Sequence, residues 1–268
     1  MRYDIQDMTA ASSIRTFLDF AIDAAWRAGQ LTLAHFQTDV DVEWKQDDSP
    51  VTIADRGSEQ LLRQLIERRF PGHAILGEEF GTASTDSNHR WIIDPIDGTR
   101  SFIRGVPLYG ILIGLEISGE VVVGVAHFPG LRETVAAARG EGCRWNGRPA
   151  HVSSIARLDQ ALMAYTDCAD YLRTGQGRVW ERLLAATHTQ RGWSDCYGHC
   201  LVATGRAELM IDPLMKPWDA AALLPIMQEA GGTFTNWDGQ PTIYSNNALS
   251  TNGLVLEAVL DILRSAVQ

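Results

Sequence analysis

The sequence lacks the marks of secreted and membrane-spanning proteins. Its 268 residues include only four cysteines, Cys143, Cys168, Cys196 and Cys200, and they form no paired framework. The N-terminus has no basic segment followed by an apolar one, so we expect a reducing, cytoplasmic setting. No apolar run approaches the roughly 18 residues that are needed to cross a bilayer. We therefore expect no membrane partner.

Basic residues are also scarce. The chain has 23 Lys and Arg against 33 Asp and Glu, which gives a net charge of -10. Nucleic-acid backbones reward clustered basic residues, so this composition argues against nucleic acid as a partner. A carboxylate about 4 Å from a phosphate charge repels it by roughly 4 kcal/mol at an effective dielectric of 20. An acidic protein that binds a phosphate ester therefore needs cations at its site.

Several well-known site motifs are absent. The pairs Gly140/Gly142 and Gly175/Gly177 do not complete the dinucleotide fingerprint Gly-x-Gly-x-x-Gly, and no Gly-x-Ser-x-Gly nucleophile elbow occurs. Cys196 and Cys200 lack a second Cys or His pair at zinc-site spacing, so they are interpreted as small buried thiols.

The segment Trp91–Thr99 is the most informative part of the chain. It places Asp94 and Asp97 three residues apart around Pro95, after an apolar stretch and before Gly98 and Thr99. Paired carboxylates suit Mg²⁺, which prefers hard oxygen ligands, and the following amides suit a phosphate. Alone, the segment also fits an ordinary turn, because Asp, Pro and Gly are common turn residues.

Two further acidic segments strengthen the metal-site interpretation. Glu78 and Glu79 follow the short apolar run 74–76, and Asp219 follows Pro217 at the start of an apolar helical segment. Each has a plain structural alternative, a solvated glutamate pair in the first case and a helix cap in the second. The occurrence of all three segments in one chain favours a metal site.

These segments resemble the inositol monophosphatase superfamily of Mg²⁺-dependent, lithium-sensitive phosphatases, and the resemblance covers essentially the whole chain. The matching segments are Asp47–Asp55, Gly77–Glu79, Asp94–Thr99, Leu201–Gly205, Trp218–Ala222 and Glu229–Gly232. The resemblance implies the αβαβα sugar-phosphatase fold, an α/β layered architecture. Because members of that superfamily are commonly homodimers, it also implies a homodimer.

The resemblance assigns roles to individual residues. The implied ligands of two to three Mg²⁺ ions are Glu78, Asp94, the Ile96 carbonyl, Asp97 and Asp219. Thr99 and Asp55 are expected to orient the attacking water. Glu78 is expected to be a catalytic residue as well as a metal ligand. The amides of Gly98 and Thr99 are expected to hold phosphate. The structural alternative for Asp55 is a first-turn residue favoured by the helix dipole.

The substrate-facing segments are similar to the histidinol-phosphatase branch of that superfamily. The segments 193–199 and 208–213 carry this likeness, with Ser194 where the branch usually has Gly. Histidinol phosphate carries an ammonium and an imidazole, which acidic groups would attract. The expected substrate contacts are Asp195, Asp212, Trp193 and Glu79. Asp195 is alternatively a helix cap, and Trp193 a core residue.

Periodicity predicts the order of the elements. Helices are expected over residues 12–36 and 52–70, a hairpin over 109–128, and further sheet over 133–138 and 142–145. Beyond residue 150, strands at 162–166, 201–204 and 233–236 are expected to alternate with helices at 179–188, 219–230 and 254–267. We therefore expect an N-terminal α+β subdomain, residues 1–150, carrying most metal ligands. A C-terminal α/β subdomain, residues 151–268, would carry Asp219 and the substrate contacts.

Three functions are compatible with these patterns. The first is hydrolysis of histidinol phosphate in histidine biosynthesis, by activated water without a covalent intermediate. The second is hydrolysis of inositol 1-phosphate or a related sugar monophosphate. The third is a non-catalytic metal-binding protein that kept the fold, against which the complete set of acidic residues argues.

Overall fold

The computed structural model describes residues 5–266 of the chain. Helices α1 to α5 are Ile5–Leu33, Ile53–Arg69, Thr99–Phe102, Cys168–Arg173 and Gly177–Ala186. Helices α6 to α9 are Asp195–Ala203, Pro217–Ala221, Leu223–Glu229 and Leu256–Ala266. Short 3₁₀ turns occupy Pro129–Leu131 and Leu158–Gln160.

The strands form two main sheets and one small ribbon. Strands β1 to β8 are Val42–Trp44, Pro50–Thr52, Ala74–Gly77, Gly81–Ala83, His89–Asp97, Gly110–Ile117, Glu120–Phe128 and Glu133–Ala138. Strands β9 to β15 are Gly142–Trp145, Arg148–Pro149, Leu162–Ala164, Thr189–Arg191, Leu209–Asp212, Thr233–Thr235 and Ala248–Thr251. The larger sheet has the order β10-β9-β8-β7-β6-β5-β3-β4, the smaller one the order β12-β11-β13-β15-β14, and β1 pairs with β2.

The elements stack in five layers of helix, sheet, helix, sheet and helix. Helices α1 and α2 pack on one face of the larger sheet, where Leu18, Leu62 and Trp91 belong to one apolar core. Helices α6 to α8 lie between the sheets in a second core, and α5 and α9 cover the outer face of the smaller sheet. The layers confirm the αβαβα arrangement that the resemblance implies.

Helix α2 begins at a capping box that also fixes a site residue. The Thr52 hydroxyl accepts a hydrogen bond from the amide of Ala54, and Asp55 accepts one from the amide of Thr52 at 2.8 Å. Such reciprocal capping satisfies amides that have no partner within the helix. It also buries the Asp55 carboxylate at a defined position.

Two expectations about the second half of the chain are wrong. Residues 201–204 are not a strand, because residues 201–203 complete the buried helix α6. A short apolar run that is buried on all sides reads alike as strand or helix. The single helix expected over 219–230 is two helices that meet at Ala222. Pro225 explains the break, since proline cannot donate to the carbonyl four residues earlier and clashes with it.

The expected division of the chain near residue 150 coincides with the passage from one sheet to the other. All strands of the larger sheet lie within 74–149, and all strands of the smaller sheet lie within 162–251. Helices α6 to α8 are shared between the sheets. Two subdomains therefore remain a proposal.

Candidate active site

A bulge in β5 brings two of the predicted metal ligands to the same side of the strand. Residues three apart in a regular strand point to opposite faces. Between Asp94 and Asp97, however, the pairing with β6 shifts by one residue, so that Asp94 faces Leu112 and Asp97 faces Gly110. An extra residue of this kind re-aims the side chains that follow it. Asp94 and Asp97 can then meet at one point.

Asp219 reaches the same point from α7. Its carboxylate accepts a hydrogen bond from the amide of Lys216 at 2.8 Å, which fixes it in the first turn of the helix. One carboxylate oxygen from each of Asp94, Asp97 and Asp219 lies within 4.8 Å of the others. Among the described residues this is the only such group of His, Cys, Asp or Glu side chains. Its oxygens suit a hard divalent cation.

Glycines in the larger sheet let α7 and α8 approach closely enough for this meeting. A Cβ atom at Gly124 would lie 2.0 Å from the carbonyl oxygen of Ala222, and one at Gly114 would lie 2.7 Å from the Cβ of Ala221. Neither position leaves room for a side chain. The junction of α7 and α8 therefore rests directly on the backbone of β6 and β7.

The clustering of the three carboxylates disfavours their ionised forms. Burial raises the pKa of Asp97 to about 7, with a further contribution from the charge of Asp219. Burial likewise raises the pKa of Asp219 to about 7. The pKa of Asp94 is raised well above its usual range by burial and by the nearby Glu78. A bound cation would reverse this repulsion, so the donor set fits a divalent metal.

Glu78 lies beside these three carboxylates, in a turn that another buried glutamate holds. Glu59 of α2 accepts hydrogen bonds from the amides of Glu79 at 2.7 Å and Phe80 at 3.2 Å. A Cβ at Gly77 would lie 2.2 Å from the Glu59 carboxylate, which shows how closely the turn packs on α2. Glu59 was not singled out from the sequence. A charged residue on the inward face of α2 is the signal that marks it.

Lys45 is the positive partner of this acidic turn. Its Nζ donates to Glu78 Oε1 at 2.8 Å and to Glu79 Oε1 at 2.6 Å. Burial lowers the pKa of Lys45, but these two hydrogen bonds outweigh that effect and raise it overall. Burial raises the pKa of Glu78, and Lys45 opposes that rise. The lysine thus reaches the site, although its sequence context fits a solvated loop equally well.

Thr99 and Asp55 lie next to the carboxylate cluster. The Thr99 hydroxyl lies 3.1 Å from Asp55 Oδ1 and 2.9 Å from the carbonyl oxygen of Ile96, both of which are acceptors. Thr99 begins α3, directly after Gly98. The hydrogen bond expected between Thr99 and Asp55 is therefore present, and the Ile96 carbonyl lies within hydrogen-bond distance of the same hydroxyl.

Gly98 and Asp195 lie against each other in unusual backbone conformations. Gly98 has φ +85°, and a Cβ atom there would lie 3.1 Å from Asp195 Oδ2. Asp195 has φ +54°, which is uncommon for a residue other than glycine. The amide of the next residue, Cys196, donates to Asp97 Oδ2 at 2.6 Å. Gly98 adopts its conformation without strain, whereas strained non-glycine residues such as Asp195 cluster at functional sites.

One cavity of about 60 Å³ is lined both by carboxylates of the candidate metal site and by expected substrate contacts. The aspartates that line it are Asp97, Asp170, Asp195, Asp212 and Asp219. Burial raises the pKa of Asp195 well above its usual range, with a further contribution from Asp97. Trp193 and Glu79 are not among the lining residues: the Trp193 side chain is partly exposed, and Glu79 is bound to Lys45. Asp170 was not singled out from the sequence.

Comparison with known proteins identifies the family. The model of the inositol monophosphatase family matches residues 13–267. This chain belongs to the inositol monophosphatase family. It is an enzyme, a phosphatase that hydrolyses phosphoric monoesters, and enzymes of this family are metal-dependent. The non-catalytic alternative is thereby set aside.

Individual family members resemble the chain over nearly its full length. The histidinol-phosphatase of Chlorobaculum parvum is 44% identical over 243 residues, which are 88% of this chain and 94% of that protein. The histidinol-phosphatase of Mycobacterium tuberculosis is 38% identical and covers 92% of this chain and 98% of its own. The solved inositol monophosphatase of Anabaena has a TM-score of 0.84 at 31% identity and covers 94% of this chain and 97% of its own.

Within residues 5–266, every helix is too short or too polar to cross a lipid bilayer.

Proposed function

We propose that this phosphatase hydrolyses histidinol phosphate with the help of Mg²⁺. The observation that carries the proposal is the single cavity in which Asp97 and Asp219 adjoin Asp195 and Asp212. Asp97 and Asp219 would help to hold the metal ions beside the phosphate, and Asp195 and Asp212 would attract the ammonium and imidazole of the substrate. The similarity to two histidinol-phosphatases supports the same substrate.

The residues that would hold two to three Mg²⁺ ions include the three clustered carboxylates of Asp94, Asp97 and Asp219. The family resemblance adds Glu78 and the Ile96 carbonyl. When bound, Mg²⁺ neutralises phosphoryl charge, acidifies water and stabilises the leaving oxygen. Because Mg²⁺ takes oxygen ligands, the complete absence of sulfur and nitrogen ligands from this group favours it.

The neighbouring residues would position the reactants. Thr99 and Asp55 share a hydrogen bond at 3.1 Å, and we propose that this pair orients the attacking water. The amides of Gly98 and Thr99, at the left-handed turn before α3, would hold the phosphate. Water would attack phosphorus directly, the ester oxygen would leave with a proton, and no phosphoenzyme would form.

A turnover panel tests the substrate. Histidinol phosphate, inositol 1-phosphate, fructose 1,6-bisphosphate and a 3′-phosphoadenosine nucleotide would be compared in Mg²⁺ by phosphate release. We expect the highest kcat/KM with histidinol phosphate. A higher value with inositol 1-phosphate would favour the second candidate, which the likeness to the Anabaena inositol monophosphatase supports.

Asp195→Asn tests the acidic end of the cavity. Replacing the carboxyl group that would accept a hydrogen bond from the cationic substrate should raise KM for histidinol phosphate about tenfold, while the affinity for Mg²⁺ stays unchanged. The matched control is Asp167→Asn, which makes the same replacement at an exposed helix cap that does not line the cavity. Equal KM values for Asp195→Asn and wild type would remove Asp195 from substrate binding.

The family resemblance also suggests a cytoplasmic homodimer. Light scattering of the purified protein should then give twice the chain mass of 29.5 kDa. A mass of a single chain at micromolar concentration would reject the dimer.

A further inference from the structure

A buried histidine connects the substrate-facing end of the cavity to the smaller sheet. His199 lies in α6 and is completely buried. Its Nε2 lies 3.1 Å from Asp212 Oδ2, and its Nδ1 lies 2.7 Å from the hydroxyl of Ser250. Asp212 ends β13, and Ser250 lies in the adjacent strand β15. Both ring nitrogens of His199 are therefore engaged.

The hydrogen-bond chemistry gives this chain of residues a direction. An ionised carboxylate only accepts hydrogen bonds, so the bond to Asp212 needs the hydrogen of His199 on Nε2. In the neutral ring, Nδ1 then accepts from the Ser250 hydroxyl. Ser250 thus favours the tautomer that can hold Asp212. Phe234 lies against the ring at 5.8 Å between centroids and limits its movement.

Asp212 keeps its second carboxylate oxygen unengaged by protein. Its side chain is only 7% exposed, yet Oδ1 has no hydrogen-bond partner among the described residues. A buried polar atom without a partner is costly, and such atoms in native proteins usually have a purpose. Asp212 lines the same cavity as Asp195 and Asp219. Oδ1, itself buried, is therefore the acceptor of Asp212 that remains available to a ligand in this cavity.

We propose that His199 is a positioning residue for substrate selection. It fixes Asp212 through Oδ2 and so presents Oδ1 to the ammonium group of the substrate, with Ser250 holding the histidine tautomer. This inference rests on the proposed function, because it assumes a cationic phosphate ester. His199 itself does not touch the substrate.

The test compares kcat/KM for two esters instead of measuring the activity on one. The ratio divides kcat/KM for histidinol phosphate by kcat/KM for glycerol 2-phosphate, an ester without an ammonium group. In His199→Met the ratio should fall about tenfold, because Asp212 is no longer held in place to accept a hydrogen bond from the substrate ammonium. His199→Gln, whose side-chain amide can donate to Asp212, should restore most of the ratio. Ser250→Ala should lower it in the same direction but less.

The matched control is another buried histidine with a hydroxyl partner. His127 lies 2.8 Å through Nδ1 from Thr134 and does not line the cavity, so His127→Met should keep the wild-type ratio. Thermal unfolding would identify variants that fail to fold, and Ser250→Ala then carries the test.

The two proposals fail in different ways. If wild type prefers histidinol phosphate but the ratio is unchanged in His199→Met and Ser250→Ala, only the positioning role is rejected. An equal fall in His127→Met would also reject it, because any buried histidine would then have the same effect. If wild type handles both esters equally well, the proposed substrate is rejected and the role of His199 with it.

Discussion

At the scale of single residues, the site combines acidic groups that repel one another in the absence of a cation. Asp94 is 1% exposed, and both burial and the charge of Glu78 raise its pKa. The amide of Ile96 donates to Asp94 Oδ1 at 3.0 Å, so Oδ2 is the oxygen of Asp94 that does not accept this hydrogen bond. Asp94 is thus the most enclosed member of the carboxylate group.

Asp94→Asn tests the proposed metal centre most directly. Asparagine keeps the shape but removes the charge, so we expect Mg²⁺-dependent phosphate release to fall by at least about 100-fold. Calorimetric titration should show weaker Mg²⁺ binding in the same variant. Asp261→Asn, an exposed change in α9, is the control and should behave as wild type. Full activity of Asp94→Asn would overturn the assignment.

Lys45 supplies a second test at this scale. Without Mg²⁺ it is the only cation within hydrogen-bond distance of Glu78 among the described residues. Lys45→Met should therefore lower the free energy of unfolding of the metal-free protein by about 1–3 kcal/mol. Saturating Mg²⁺ should shrink this difference, because the metal would then pair with Glu78. Chemical unfolding with and without Mg²⁺ measures both values.

The control for that measurement keeps the charge at position 45. Lys45→Arg should destabilise the metal-free protein less than Lys45→Met. An identical loss of stability in the presence and absence of Mg²⁺ would contradict the proposed exchange of partners at Glu78.

At the scale of secondary-structure elements, contact between helix and sheet places Asp219 beside β5. The close approach depends on Gly114, where Ala221 leaves no room for a Cβ atom, and on Gly124, where the carbonyl of Ala222 leaves none. The backbone carbonyl cannot move aside as a flexible side chain can. The helix carrying Asp219 would have to shift instead.

Gly124→Ala tests this contact. We expect the free energy of unfolding to fall by about 1–3 kcal/mol from overpacking, and Mg²⁺ to bind more weakly because α7 is displaced. Gly119→Ala gives a comparison in the turn between β6 and β7, where nothing lies within 4 Å of the added Cβ. Its positive φ of 87° should cost stability without weakening Mg²⁺ binding. Equal metal affinity in wild type and Gly124→Ala would contradict the positioning argument.

The sequence predicts elements well where local signals are strong. Helix α2, with Thr52 at its start, and the β6–β7 hairpin lie within one residue of the expected bounds. The buried middle layer is where the prediction failed, because α6 is buried along most of its length and its sequence shows no amphipathic period. Strands β13 and β15 were missed for a related reason: they are short and completely buried.

For the site, the motifs indicated which residues matter but not how they are held. Asp94, Asp97 and Asp219 were predicted to meet, and the structure brings them together. The supports were not predictable: Glu59 and His199 act through contacts with residues that are distant in sequence. A lone histidine or glutamate in a helix has no local signature for such a partner.

At the scale of the whole molecule, protons and metal ions compete for the same carboxylates. The pKa values of Asp97 and Asp219 near 7 lie above those of free aspartates, so the folded metal-free protein binds more protons than the unfolded chain between about pH 4 and 7. By linkage, the contribution of these two groups to stability is greatest at the acidic end of that range and is lost as pH rises through about 7.

Mg²⁺ binding should show the opposite trend. Below about pH 7 the metal must displace protons, so its affinity should rise about tenfold per pH unit for each proton released and level off above that pH. Titration calorimetry between pH 5.5 and 8.5 in buffers of different ionisation enthalpy measures the affinity and the protons. A pH-independent affinity with no proton release would contradict the raised pKa values.

The hydrogen bond from the Cys196 amide to Asp97 has a thermodynamic consequence for catalysis. It ties the first turn of α6, where Asp195 contacts the cavity, to a carboxylate of the proposed metal centre. A ligand that shifts Asp195 would therefore also shift the hydrogen-bonded carboxylate of Asp97. Cooperativity of this kind is reciprocal: whatever factor the ion adds to the ester's affinity, the ester adds to the ion's. The enzyme would retain its ions most firmly while an ester is bound, and release them more readily once the alcohol has left.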